Sequence, residues 1–198
     1  MTTIDRLSTV IPANDVPGPR QGQWSYKDYT ALPDDGRRYE VVNGVLYMSP
    51  SPSGAHQDAV GEIFTYLRAS VKLAGLGIVR VAPFDVELAS DVVVQPDVLV
   101  VLNEHRDRIT ENRIMGAPDL VVEVSSPSTA THDRHKKLEA YARAGVQEYW
   151  IADPEARTLE ILMLEKDEYT PLGVFRGKAT VPSQIVPGLR VHVEQFFS

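Results

Sequence analysis

The chain has 198 residues, room for one domain with a single core that buries about 70% of the surface its unfolded form exposes. Hydrophobic residues at 43% and charged residues at 24% exclude disordered, fibrous and coiled-coil readings, and 20 basic against 27 acidic residues, a net charge of −7, exclude a protein that coats nucleic acid by bulk charge. The absence of cysteine removes disulfide scaffolds, thiolate zinc sites and cysteine nucleophiles, which leaves histidine and carboxylates as metal ligands.

Residues 1–23 carry three prolines and no apolar stretch of the kind a secretory signal needs, so they predict a flexible N-terminal arm on a cytoplasmic protein. The longest aliphatic run, Val98 to Leu102, is far short of the roughly 18 residues a membrane span requires. Ser25-Tyr26-Lys27-Asp28 has the form of a capping box and predicts a short helix toward Leu32. Asn43-Gly44, set between Arg38-Tyr39-Glu40-Val41-Val42 and Val45-Leu46-Tyr47-Met48, predicts a hairpin, because both turn positions need a positive φ.

From 55 to 73, Val60, Ile63, Phe64, Leu67 and Val71 recur at helical spacing, and Gly75 and Gly77 stop the helix. Strands are predicted at 78–81, 84–88, 97–102 and 119–124, then a second helix at 133–144 ending at Gly145, then strands at 148–152, 158–164 and 168–174. This order predicts an α/β (α+β) domain around a central mixed sheet flanked by helices.

Glu123 interrupts the aliphatic strand Leu120-Val121-Val122-Glu123-Val124, where an ionised carboxylate costs several kcal/mol unless it is paired or coordinated. Strand alternation sets Asp119, Val121, Glu123 and Ser125 on one face. Asp97 opens a second aliphatic strand directly after Pro96. Two such acids can share a hard cation, Mg²⁺ or Mn²⁺, with the backbone carbonyl of Val124 as a third oxygen. Downstream, Thr131-His132-Asp133-Arg134-His135-Lys136-Lys137 is a basic patch in an acidic protein. Asp133, Lys137 and Tyr141 are four apart and form one helical stripe, which turns Lys137 toward the site and Lys136 toward solvent. His56 falls on the core side of the first long helix, and Glu62 on its solvent side.

Tyr39-Glu40-Val41-Val42-Asn43-Gly44, Ser49-Pro50 with His56, Pro96-Asp97-Val98, the run from Leu120 to Thr129, and Asp133, Lys137 and Tyr141 followed by Gly145-Val146-Gln147-Glu148-Tyr149-Trp150 resemble, in this order, the Uma-type restriction-endonuclease family of the PD-(D/E)XK nuclease superfamily. The resemblance covers about residues 26–154. It implies a restriction-endonuclease-like core over 24–198, with Asp97, Glu123 and the Val124 carbonyl holding Mg²⁺ or Mn²⁺.

The superfamily's usual lysine, two residues after the glutamate, is replaced here by Ser125, and the resemblance implies that Lys137 supplies it from the following helix. Glu40, His56, Asp133 and Tyr141 are then supporting residues, with Glu40 a further candidate ligand. The expected activity is metal-dependent hydrolysis of phosphodiester bonds in nucleic acid, DNA being the expected substrate, by a homodimer. Two alternatives stay open: a binding or regulatory protein that keeps the nuclease fold without efficient turnover, which the net charge and Ser125 favour, and a metal-free hydrolase using Asp97 and Glu123 as an acid/base pair.

Overall fold

The computed structural model describes residues 10–49, 51–125 and 133–198, the side chains of 133–135 excepted. Asn43 and Gly44 take φ of 51° and 71°, as a two-residue hairpin turn demands, and join β2 (Arg38–Val42) to β3 (Val45–Ser49). The same turn fastens the start of the described chain. The Gly44 carbonyl accepts from the N–H groups of Gly22 (2.7 Å) and Trp24 (3.0 Å), and a Cβ at Gly44 would lie 2.6 Å from the Gly22 carbonyl. β1 (Ile11–Pro12) pairs with β3, and Ala13 and Trp24 are buried against Tyr39, Val41, Leu46 and Val93. Residues 10–23, within the expected loose arm, are tied to the hairpin by these backbone bonds and by buried Ala13, while most of their side chains stay exposed.

Two six-stranded mixed sheets form where one central sheet was expected. The remaining strands are β4 (Gly77–Val81), β5 (Asp85–Ala89), β6 (Val92–Val94), β7 (Val98–Leu102), β8 (Arg113–Met115), β9 (Leu120–Val124), β10 (Glu148–Asp153), β11 (Thr158–Glu165) and β12 (Glu168–Arg176). The first sheet runs β1-β3-β2-β6-β5-β8 and the second β12-β11-β10-β9-β7-β4. Gln95-Pro96-Asp97 carries the chain from one sheet to the other. Pro96 has no N–H with which to continue the β6 ladder, and pairing resumes with β7 in the second sheet.

The helices are α1 (Tyr26–Tyr29), α2 (Gly54–Leu67), which continues as a π-helical turn over Arg68–Lys72, and α3 (Asp133–Ala144). The capping box of α1 closes as expected, with Ser25 and Asp28 each accepting from the other's backbone N–H. Ala59, Ile63, Leu67 and Val71, four apart, pack on Val98, Val100, Leu120, Val122 and Val124 of the second sheet, together with Val193, Phe196 and Phe197 from the C-terminal end. The other face of that sheet, Leu99, Val101, Val121, Tyr149 and Ile151, meets Val42, Val86 and Val94 of the first sheet and Tyr141 of α3. β7 and β9 are thus covered on both faces, which is why they read as unbroken aliphatic runs. α3 is the crossover that parallel neighbours β9 and β10 require, and it stops at Gly145, φ 91°. Among the described residues no helix is long and apolar enough to cross a membrane.

Glu148 is a buried acid with a structural task. It is fully buried and accepts from Trp150 Nε1 (2.6 Å) and from the backbone N–H groups of Gln184 (2.8 Å) and Ile185 (3.0 Å), fixing the C-terminal segment to β10. Glu148→Ala orphans three donors at once, and an expected loss on the order of 3 kcal/mol should appear as a lower urea midpoint at unchanged slope. Equal midpoints for the two proteins would contradict this role.

Candidate active site

The two sheets and α3 bring three carboxylates and two cations together. β2 alternates Tyr39 and Val41 toward the N-terminal segment with Arg38, Glu40 and Val42 toward the second sheet. Glu123 comes from β9, Asp97 from the crossing between the sheets, and Lys137 and Tyr141 from one stripe of α3. Lys137 Nζ lies 2.8 Å from Glu40 Oε2 and 3.2 Å from Glu123 Oε1, and the Tyr141 hydroxyl donates to the same Glu123 oxygen at 2.6 Å. Glu40 Oε1 also accepts from the Gln95 backbone N–H at 2.7 Å. With both oxygens engaged, Glu40 anchors Lys137.

Asp97 Oδ2 accepts from the Val124 backbone N–H at 2.8 Å, while Oδ1 faces His56 Nε2 at 3.3 Å and Arg38 at 3.4 Å. In a strand the N–H and C=O of one residue project from the same edge, so the Val124 carbonyl is directed toward the Asp97 side. Ser53 caps α2 by accepting from the His56 N–H, and this fixes the helix start from which His56 reaches inward.

Burial pushes Asp97 up, but the hydrogen bond and charge of His56, the charge of Arg38 and the Val124 N–H outweigh it and hold Asp97 below the usual carboxylate range. Glu123 goes the other way. Burial raises it most; the charge of Lys137 and the Tyr141 hydrogen bond pull it down, Asp97 and Glu40 push it up, and the balance leaves it at about 7. Burial first, and then the charge of Glu123, hold Tyr141 well above its ordinary range, so it remains a donor.

Asp97, Glu123, Glu40, His56, Lys137 and Tyr141 therefore converge as the sequence predicts. Ser125 does not join them, because its hydroxyl donates to the Ala152 carbonyl at 3.2 Å. Asp133 lies on α3 with its side chain outside the described residues, as does most of the basic patch from His132. Lys136 is not turned to solvent as expected: its ammonium donates to the Tyr47 hydroxyl at 2.7 Å and lies 5.2 Å from the centre of that ring. Glu62 is half-buried rather than solvent-facing.

Arg38 and Gln95 were missed. The readable signal for Arg38 is that it stands two residues before Glu40 on one strand and so shares its face; for Gln95, whose backbone holds Glu40, there is none.

A family model described as "Uma2: Putative restriction endonuclease" matches residues 26–194. The chain belongs to the Uma2 family. A solved structure titled "Crystal structure of a putative nuclease belonging to DUF820 from Anabaena variabilis ATCC 29413" superposes with a TM-score of 0.74 at 21% identity, covering 88% of this chain and 97% of that one, and shows the fold to be shared. No curated protein matches the chain.

The donors of this Uma2 site suit a divalent cation. They are hard oxygens, and three carboxylates face Lys137 and Arg38; burial first, and then the charges of Asp97 and Glu40, raise Glu123. Among the described residues, the group whose ligand atoms already stand within 4.8 Å of one another is a different one, Glu104, His105 and Asp119. There Asp119 spends one oxygen on His105 Nδ1 (2.6 Å) and the other on the Leu102 N–H (2.7 Å), so it serves as a structural brace at the far ends of β7 and β9.

Proposed function

We propose that this protein is a Mg²⁺- or Mn²⁺-dependent endonuclease that hydrolyses phosphodiester bonds, with DNA as its substrate. The observation that carries the reading is the carboxylate pair of buried Asp97 and half-buried Glu123, with the Val124 carbonyl on the same edge and a buried lysine against Glu123. Asp97, Glu123 and the Val124 carbonyl would hold the metal. The bound cation supplies an activated water and neutralises charge developing on the phosphate.

The rest is the chain's own work. Glu40 holds the Lys137 ammonium beside Glu123, where it can orient an attacking water or stabilise the anionic transition state. Tyr141, always protonated, keeps Glu123 Oε1 in place. His56 steadies Asp97 Oδ1, and the Val124 N–H fixes Oδ2. The family to which the chain belongs supports nuclease chemistry, and a homodimer is part of the same reading.

The test is nicking of plasmid and cleavage of single-stranded DNA in Mn²⁺ by the wild type, Asp97→Ala and Lys137→Ala. Removing either group is expected to lower the rate by about a hundredfold or more. Equal cleavage by all three would place the chemistry elsewhere, and cleavage that survives complete chelation would favour the metal-free hydrolase.

A further inference from the structure

We propose that Arg38 contacts the non-bridging oxygens of the scissile phosphate, an inference that rests on the nuclease reading above. Two cationic side chains stand in the carboxylate cluster, and they are placed differently. Lys137 is 8% exposed and lies between Glu40 and Glu123 at 2.8 and 3.2 Å, so its charge is already matched by two acids. The Arg38 side chain, beside Asp97, is 27% exposed.

Its bonding within the protein is incomplete. One terminal nitrogen donates to the Gln95 backbone carbonyl, which orients the guanidinium, and the other lies 3.4 Å from Asp97 Oδ1, at the long limit of a hydrogen bond. The third nitrogen, Nε, is buried with no acceptor among the described residues. A buried donor without a partner is a cost that the fold does not recover. A guanidinium has a planar fork that matches two phosphate oxygens, and a small shift off Asp97 toward such a group would pair the donors now poorly served. Arg38 reaches from β2 to Asp97 Oδ1, the oxygen that also faces His56 at 3.3 Å, so a phosphate it held would lie against the acids proposed to carry the chemistry.

The experiment is equilibrium binding of a short fluorescein-labelled DNA duplex in Ca²⁺ over a series of salt concentrations, using the full chain, Arg38→Gln and Arg38→Lys. Mn²⁺ calorimetry on each protein checks the acidic site independently. Arg38→Gln is expected to bind DNA about tenfold more weakly, with the salt slope reduced by about one, while its Mn²⁺ affinity is kept or improved. Arg38→Lys is expected to keep the slope, because the charge remains, and to lose several-fold in affinity with the fork. Wild-type affinity and slope in Arg38→Gln, or in Arg38→Lys unchanged affinity, would overturn the Arg38 assignment and leave the nuclease reading standing. Loss of Mn²⁺ binding in Arg38→Gln would make Arg38 a brace for Asp97 instead. A wild type that binds neither Mn²⁺ nor DNA would overturn both.

Discussion

Lys137→Met is expected to destabilise the metal-free protein by about 3–5 kcal/mol near pH 8 and to abolish cleavage, the largest single effect the structure implies. The buried ammonium faces two carboxylates, the buried Glu40 at 2.8 Å and the half-buried Glu123 at 3.2 Å, where water compensates little. Removing it leaves both acids with their negative charges and without this counterion. The loss should shrink toward pH 5, because Glu123, already raised, would then take up a proton and shed its charge. Adding Glu40→Gln to Lys137→Met should restore part of the stability and none of the activity. Denaturation in chelator at both pH values measures the first effect, and the double variant separates charge compensation from packing. Equal stability of wild type and Lys137→Met would mean that the lysine does not balance these acids.

The second large effect is the dependence of stability on pH and metal. In the folded, metal-free protein Glu123 titrates at about 7, against an ordinary value of 4.5. The folded state therefore holds a proton that the unfolded chain releases between those values. The stability this contributes is fully present below about pH 4.5 and is lost as pH rises through 7, an amount of about 3 kcal/mol at most. Asp97, held below the usual range, acts in the opposite sense, but its contribution is already complete above its ordinary value of 3.8 and does not change in this window. In chelator the melting temperature should fall between pH 5 and pH 8. With Mn²⁺ it should fall less or rise, because the cation binds the deprotonated pair and adds stability in proportion to its affinity. A chelated protein with the same melting temperature across this range would show Glu123 to be an ordinary carboxylate.

The hairpin, the main helix and the crossover helix could be read because each carries a local signal: Asn43-Gly44 in the turn, apolar residues at four-residue spacing in α2, and the stripe that ends at Gly145 in α3. β6 and β8, three residues each, are too short to show a period. The division into two sheets depends on where β6 and β7 find partners, a long-range choice that only Pro96 hints at.

The site divides along the same line. Glu123 stands out because it interrupts an aliphatic strand, Asp97 because it opens one directly after Pro96, and Lys137 and Tyr141 because four-residue spacing puts them on one face. Glu40 looked like a member of an ordinary hairpin strand until the packing of the first sheet on the second buried it against Lys137. Arg38 gains its place by the same packing.

The pairing of Asp97 with Glu123 as a cation site is tested most directly by Mn²⁺ calorimetry on the wild type and Glu123→Gln at pH 8, since it requires no choice of substrate. The wild type is expected to bind, more weakly toward pH 6 and with proton release, and Glu123→Gln folded to the same circular dichroism spectrum is expected not to bind. Wild type that takes up no Mn²⁺, or Glu123→Gln that binds it equally well, would contradict the pairing.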